Sequence, residues 1–267
     1  MHPSRWTSAI LAAVEEEGRC TIAALASRLR VSDETIRRHV RPLVSEGVLV
    51  REHGAVAARD LPSEPPFSRR MKDAAEAKRA IACAAADLVR DGQTVMIDTG
   101  STTAYVAAAL VRRRDLTIVT NSIEIARPLV GRRGHRVLLA GGELRADIAA
   151  AVGPEALAFI QQFRADMAIV SIGAIDASDG FMDFDLDEAR IAQAMIGRAR
   201  SSMVVADARK FGARAFVQVC GFDRVTHLVT DTQAPEGFRE RLVESGVELI
   251  VAPAGSRQLV AGAGNGP

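Results

Sequence analysis

The chain has 267 residues, of which 48% are hydrophobic and 25% charged, with a formal net charge of +1 at pH 7. That profile excludes a disordered or fibrous protein and leaves room for one large domain or two ordinary ones. So small a net charge does not mark a nucleic-acid binder, so any affinity for phosphate has to come from local density.

Residues 4 to 17 read as a helix with Ile10, Leu11 and Val14 on one face, and Gly18 stands where a helix end needs a left-handed residue. Thr21 can cap a second helix over residues 22–29. Val31 and Ser32 form a tight turn. Ser32 is a good N-cap, and Asp33 and Glu34 fall in the first turn of a third helix, where acids suit the dipole. In that helix Ile36, Val40, Leu43 and Val44 recur at helical spacing and face the core, while Glu34, Thr35, Arg37, Arg38 and Arg41 point elsewhere. Pro42 removes one helix hydrogen bond and predicts a kink or an altered last turn. After Gly47, residues 48–56 predict a small hairpin turning near Gly54.

Three helices and a ribbon are the outline of a winged helix-turn-helix, here residues 1–57. From Arg28 to Arg59 seven arginines face Asp33, Glu34, Glu46 and Glu52, a local balance of +3. A recognition helix places its N-terminal side chains on base edges in the major groove of double-stranded DNA. Thr35, Arg37 and Arg38 are the candidates for that contact, with Ser32, Arg41, Arg51 and His53 as supports. Two arginines alone are more often a solvated helix face.

Residues 58–75 form a linker, with Pro62, Pro65 and Pro66 and several charges resisting regular structure over 57–70. An alanine-rich helix over 72–89 follows. Apolar runs at 94–97, 116–119, 136–139, 167–170, 203–206, 225–229 and 247–251 then alternate with helical segments. This predicts an α/β domain over 76–252 with a largely parallel sheet covered on both faces. Residues 253–267, rich in Gly and Ala, read as a flexible tail.

Asp98-Thr99-Gly100-Ser101-Thr102-Thr103 lies between an apolar strand and a helix, so it offers backbone N–H groups, hydroxyls and a positive dipole end to an anion. The bland reading is that Ser101 and Thr102 merely cap the helix. The arrangement repeats. Asn121 and Ser122 follow the next strand and Gly141 and Gly142 the third, and loops at the carboxyl ends of strands gather round one crevice. Gly173, in a Ser-Ile-Gly turn, is added to these. Lys210 and Arg145 can supply charge to a phosphate, and Asp98, Asp183, Asp185 and Glu188 can accept hydrogen bonds from ligand hydroxyls. Asp185 or Asp187 can instead cap the helix that begins near Glu188.

Cys20, Cys83 and Cys220 are odd in number and lack the spacing of metal ligands, so they read as reduced cytoplasmic thiols, with no metal and no cofactor expected. No run approaches the length of a membrane span and no export signal opens the chain.

The string VSDETIRRHVRPLVSEGVLVREHGA resembles the N-terminal signature of the DeoR family of bacterial regulators, departing from it at His39, Val40 and the single Gly54 before Ala55. The segments TNS, GGELR, SIGAID, GFMDFDLDEA and ADARKFG then occur in the order of that family's sensor domain, so the resemblance covers roughly residues 5 to 251. It implies a DNA-binding transcriptional repressor acting as a homo-oligomer, dimer or tetramer. Its sensor domain would resemble ribose-5-phosphate isomerase in fold and take a phosphorylated sugar or sugar alcohol as effector. FMDFDLDEARIAQAMI with VVADARKFG is most similar to the branch that represses glycerol 3-phosphate metabolism. The alternative is a sugar-phosphate isomerase with an appended DNA-binding domain, because Asp98, Asp183, Glu188 and Lys210 are residue types that proton transfer needs. A winged helix has little purpose in an isomerase, and no catalytic residue is assigned.

Overall fold

The computed structural model describes residues 5–17, 19–45, 48–52, 55–58, 64–65 and 67–253. It divides into two compact units, Met1–Pro62 and Ser63–Pro267.

The first unit runs α1 (Arg5–Glu17), β1 (Arg19–Thr21), α2 (Ile22–Leu29), α3 (Asp33–Ser45), β2 (Leu49–Glu52) and β3 (Ala55–Ala58). Its helix boundaries follow from local chemistry. Thr21 Oγ1 accepts the Ala24 N–H at 3.1 Å, and Ser32 Oγ accepts the Thr35 N–H at 3.3 Å, each satisfying a donor that the helix leaves open. Arg30, at φ +54, closes α2 in the left-handed region and donates its N–H to the Ala26 and Ser27 carbonyls. Helix α3 runs through Pro42 to Ser45. Ile10, Val14, Leu25, Ile36, Val40, Leu43, Leu49 and Val56 form one core, so the apolar stripe of α3 is buried as its spacing predicts. The ribbon gains a third strand, in the order β1-β3-β2, because β1 pairs antiparallel with β3. The expected roles of Gly18 and Gly54 lie outside the described residues.

The second unit begins with α4 (Phe67–Arg70) and α5 (Ala75–Leu88), so the stretch expected as linker contains a turn of helix. Then come β4 (Thr94–Ile97), α6 (Ser101–Leu110), β5 (Thr117–Thr120), α7 (Ile123–Leu129), β6 (Arg136–Leu139), β7 (Leu144–Arg145), β8 (Ala150–Ala151), α8 (Pro154–Gln161) and β9 (Ala165–Val170). The unit continues with β10 (Ala174–Asp176), β11 (Gly180–Asp183), α9 (Leu186–Arg198), β12 (Ala199–Val205), β13 (Val217–Cys220), β14 (His227–Thr230), α10 (Glu236–Glu244) and β15 (Glu248–Val251). Seven strands form a parallel sheet in the order β15-β14-β12-β9-β4-β5-β6.

Successive side chains on the central strands alternate between two cores. Val95, Ile97, Ile118, Ile169 and Val205 pack with α5, α6 and α7, while Met96, Val119, Ala168, Val170 and Val204 pack with α8 and α9. Strand β4 has its sequence neighbour β5 on one side and β9 on the other. Connections leave the sheet in different directions there, which opens a crevice at the carboxyl ends of the strands. Two small sheets not predicted from the sequence flank this end, β7 with β8 and β10-β11-β13. The expected tail lies, after Pro253, outside the described residues.

Candidate functional site

A crevice of about 240 Å³ opens where β4, β9 and β12 end, a volume just below the usual range of small-ligand pockets. Strand β4 delivers Asp98 and Thr99 and α6 presents Ser101 and Thr102. The loops after β9 and β12 bring Ser171 to Gly173 and Asp207, Arg209 and Lys210. The remaining walls come from Lys78 on α5, Asp183 at the end of β11, Glu188 and Ile191 on α9, and the segment of Glu64, Pro65 and Arg70.

The floor requires glycine at two close approaches. A methyl group at Gly100 would collide with the Ser171 hydroxyl, and a Cβ at Gly173 would stand 2.7 Å from the Phe184 ring. Gly100 is also the N-cap of α6 and has no side chain to satisfy the first-turn N–H groups, so that helix end keeps donors for a ligand.

The walls divide into two electrostatic poles. Beside the α6 terminus, Lys78 is 3% exposed and donates from Nζ to Ser101 Oγ at 2.9 Å and to the Arg70 carbonyl. Burial pushes its pKa down to about 8; the cations Arg209, Lys210 and Arg70 add to this and Asp207 opposes it. Glu64 pairs with Arg70 and, at 2.8 Å, with Lys210. Asp207 is held by Arg209 through two hydrogen bonds of 2.7 and 3.0 Å; burial would raise its pKa, but that pairing leaves it lowered.

The opposite pole is made of carboxyls. Both oxygens of Asp98 lie 3.1 Å from the Ser171 N–H, which ties β4 to β9, and burial raises its pKa well above the carboxylate range. Asp183 is raised to about 6, by burial and then by Glu64. Glu188 is raised to about 8, by burial and then by Asp183. At neutral pH Glu188 therefore carries a proton and can donate as well as accept a hydrogen bond.

Of the residues chosen from the sequence, Asp98, Thr99, Ser101, Thr102, Gly173, Asp183, Glu188 and Lys210 meet in this crevice. The others do not line it. Gly100 and Thr103 are buried behind the loop, where Thr103 Oγ1 donates to the Gly100 carbonyl at 3.1 Å. Asn121 Nδ2 donates to the Ala151 carbonyl at 2.9 Å and Ser122 Oγ to that of Ala149 at 3.3 Å, so both hold the β7–β8 hairpin. Gly141 and Gly142 are exposed. Arg145 is spent on Asp147 at 2.6 Å and Asp185 at 2.7 Å. Asp185 itself caps α9, accepting the Asp187 and Glu188 N–H groups. The physical reason is strand order: β5 and β6 lie on the far side of β4 from β9, and their loops serve the hairpin.

Sequence reasoning missed Glu64, Arg70, Lys78, Ser171, Asp207 and Arg209. Lys78 had a signal, since it shares the buried stripe of α5 with Ile81, Ala82, Ala85 and Ala86. A lysine in such a stripe has either a partner or a ligand. Glu64 and Arg70 had none, because they fell in a proline-rich stretch without periodicity.

In the first unit Arg37, Arg38 and Arg41 are exposed on α3 and form no ion pair with another described residue, and Arg51 is exposed on β2. The Thr35 and Ser32 hydroxyls share a hydrogen bond of 2.9 Å. Arg28, counted in the local positive balance, is neutralised by Glu16 and by Glu17 at 2.5 Å. His53 lies outside the described residues. Among the described residues no group of His, Cys, Asp and Glu could hold a metal ion, and no helix is long and apolar enough to cross a membrane.

Known families and proteins match both units. The model of the DeoR-like helix-turn-helix domain matches residues 7–60, and that of the DeoR C terminal sensor domain residues 73–232. The chain is 36% identical over 242 residues to the HTH-type transcriptional repressor CsqR of Escherichia coli K12, covering 91% of this chain and 93% of that protein. It is 33% identical over 240 residues to the glycerol-3-phosphate regulon repressor of Escherichia coli K12, covering 90% and 95%. Among solved structures, ribose 5-phosphate isomerase A from Methanocaldococcus jannaschii aligns at 16% identity with a TM-score of 0.38, over 50% of this chain and 53% of that one. That likeness is too distant to inform ligand or reaction.

Proposed function

This chain belongs to the DeoR family and is a DNA-binding repressor of that type, and we propose on that premise that its crevice takes a small phosphorylated sugar or sugar alcohol, glycerol 3-phosphate foremost, as effector. The observation that carries the reading is the bipolar crevice. The α6 terminus, Lys78 and Lys210 suit a phosphate, and the carboxyls of Asp98, Asp183 and Glu188 suit hydroxyls at the other end. Arg70 Nε is buried without a hydrogen-bond partner among the described residues, an open donor that a phosphate oxygen would satisfy.

Residues 1–57 read the operator in double-stranded DNA, with Thr35, Arg37 and Arg38 on base edges and Ser32, Arg41, Arg51 and His53 on the backbone. Residues 76–252 sense the effector. Symmetric half-sites require at least a homodimer, and the protein works in the cytoplasm beside its DNA. It is a regulator rather than an isomerase: repressors match it over nine-tenths of their length.

Calorimetric titration with glycerol 3-phosphate, glycerol, inorganic phosphate and a panel of sugar phosphates tests the effector. Glycerol 3-phosphate binds and glycerol does not, if the phosphate pole dominates. Binding of no phosphate ester at millimolar concentration, or turnover of ribose 5-phosphate, would remove the proposed role.

A further inference from the structure

We infer that Glu64 is a built-in competitor of the effector: its carboxylate holds the two cations that an entering phosphate needs, and its displacement signals occupancy to the chain leading from the DNA-binding unit. The inference rests on the phosphate reading of the crevice. Glu64 lies two residues beyond Pro62, where the first compact unit ends. It bonds to Arg70 from its own segment and to Lys210, which arrives 146 residues later on the loop after β12. The three side chains are only 17%, 12% and 23% exposed, so the cluster is shielded from the water and salt that make surface ion pairs weak.

Charge decides what happens when a phosphate arrives. Two cations now face one carboxylate, a surplus of one positive charge, and a phosphate dianion on Arg70 and Lys210 takes up both charges and leaves Glu64 without a counter-charge. Its acidic neighbour Asp183, ionised at neutral pH, repels it, and Glu64 in turn raises the pKa of Asp183. Phosphate and Glu64 therefore exclude one another from the same cations. The carboxylate ties its segment to Arg70 and Lys210, so losing both ion pairs frees that segment from its anchors. That release occurs two residues from Pro62, where the first compact unit ends.

The test uses the full chain and inorganic phosphate as probe. Titrations at fixed ionic strength compare the wild type with Glu64→Gln, which keeps shape and removes charge. Hydrogen exchange follows the wild-type peptide containing Ser63 and Glu64 with and without phosphate. Glu64→Gln binds phosphate at least about tenfold more tightly, the least that deleting one close competing charge from a solvent-shielded site gives, and the wild-type peptide exchanges faster once phosphate is bound. Equal or weaker phosphate binding by a folded Glu64→Gln overturns the competitor role while leaving the phosphate crevice intact. Unchanged or slower exchange of the wild-type peptide at saturating phosphate overturns it without recourse to any variant. Failure of both proteins to bind phosphate overturns the crevice reading and this inference together.

Discussion

Lys78 is buried where its charge has a cost, and on the proposed reading a bound phosphate would offset that cost. Lys78→Met is expected to weaken phosphate-ester binding about a hundredfold, because it removes a charge-assisted contact from a shielded site, while the unliganded protein unfolds at the same temperature or higher. Parallel titration and thermal melts measure both. Glu188 carries a pH signature of its own. Its folded pKa of about 8 lies above the ordinary 4.5, so its contribution to stability is complete below pH 4.5 and is lost as pH rises to 8. Asp183 acts in the same direction between 3.8 and about 6, whereas Lys78, lowered from 10.5 to about 8, acts oppositely and above that window. Urea denaturation is therefore expected to show stability falling from pH 5 to pH 8, and Glu188→Gln to flatten the fall. An unflattened curve would place the titration on other groups. At this scale the sequence was only partly legible: the Asp98 to Thr102 loop stood out because hydroxyls and glycine follow a strand, but Lys78, Arg70 and Glu64 reach the crevice from α5 and the segment before it, whose approach depends on tertiary packing.

Helix α3 was legible almost to the residue, because its cap, its acidic first turn and its apolar spacing are local properties. Exposed and without an ion pair to another described residue, Arg37 and Arg38 are expected to act as phosphate or base contacts. Arg37→Ala and Arg38→Ala each weaken DNA binding and, where the contact is to phosphate, lower the slope of log affinity against log salt by about 0.9. Unaltered affinity in both variants would take α3 out of the groove. Ser32→Ala should cost about 1 kcal/mol of stability in the first unit through the lost cap. The strands of the large sheet were equally visible as apolar runs between helices. The short strands were not. β1, β7, β8 and β10 have two or three residues each, too few for any periodicity, and they exist because the antiparallel partners beside them do. With them went the placing of Asp183, which ends β11, and the recognition that Arg145 belongs to a hairpin.

For the molecule as a whole, effector and operator are linked thermodynamically, so each changes the equilibrium affinity for the other by one factor. Thr102→Asp puts a carboxylate at the α6 terminus, where it would repel the proposed phosphate; it is expected to abolish the response to effector while operator affinity without effector stays at the wild-type value, as paired DNA titrations would read. Three converging strand-to-helix loops were foreseen, but the crevice belongs to one of them and to two later crossings, since strand order is a long-range property that local pattern does not encode. That order has a temporal consequence. Strand β4 is sandwiched between β5 and β9, and the crevice is incomplete until Lys210 has been made. Translation reaches that lysine about 150 residues after Pro62, roughly ten seconds or more at ordinary elongation rates. On the proposed reading, each newborn copy thus completes the sequence of its DNA-binding unit well before that of its effector crevice.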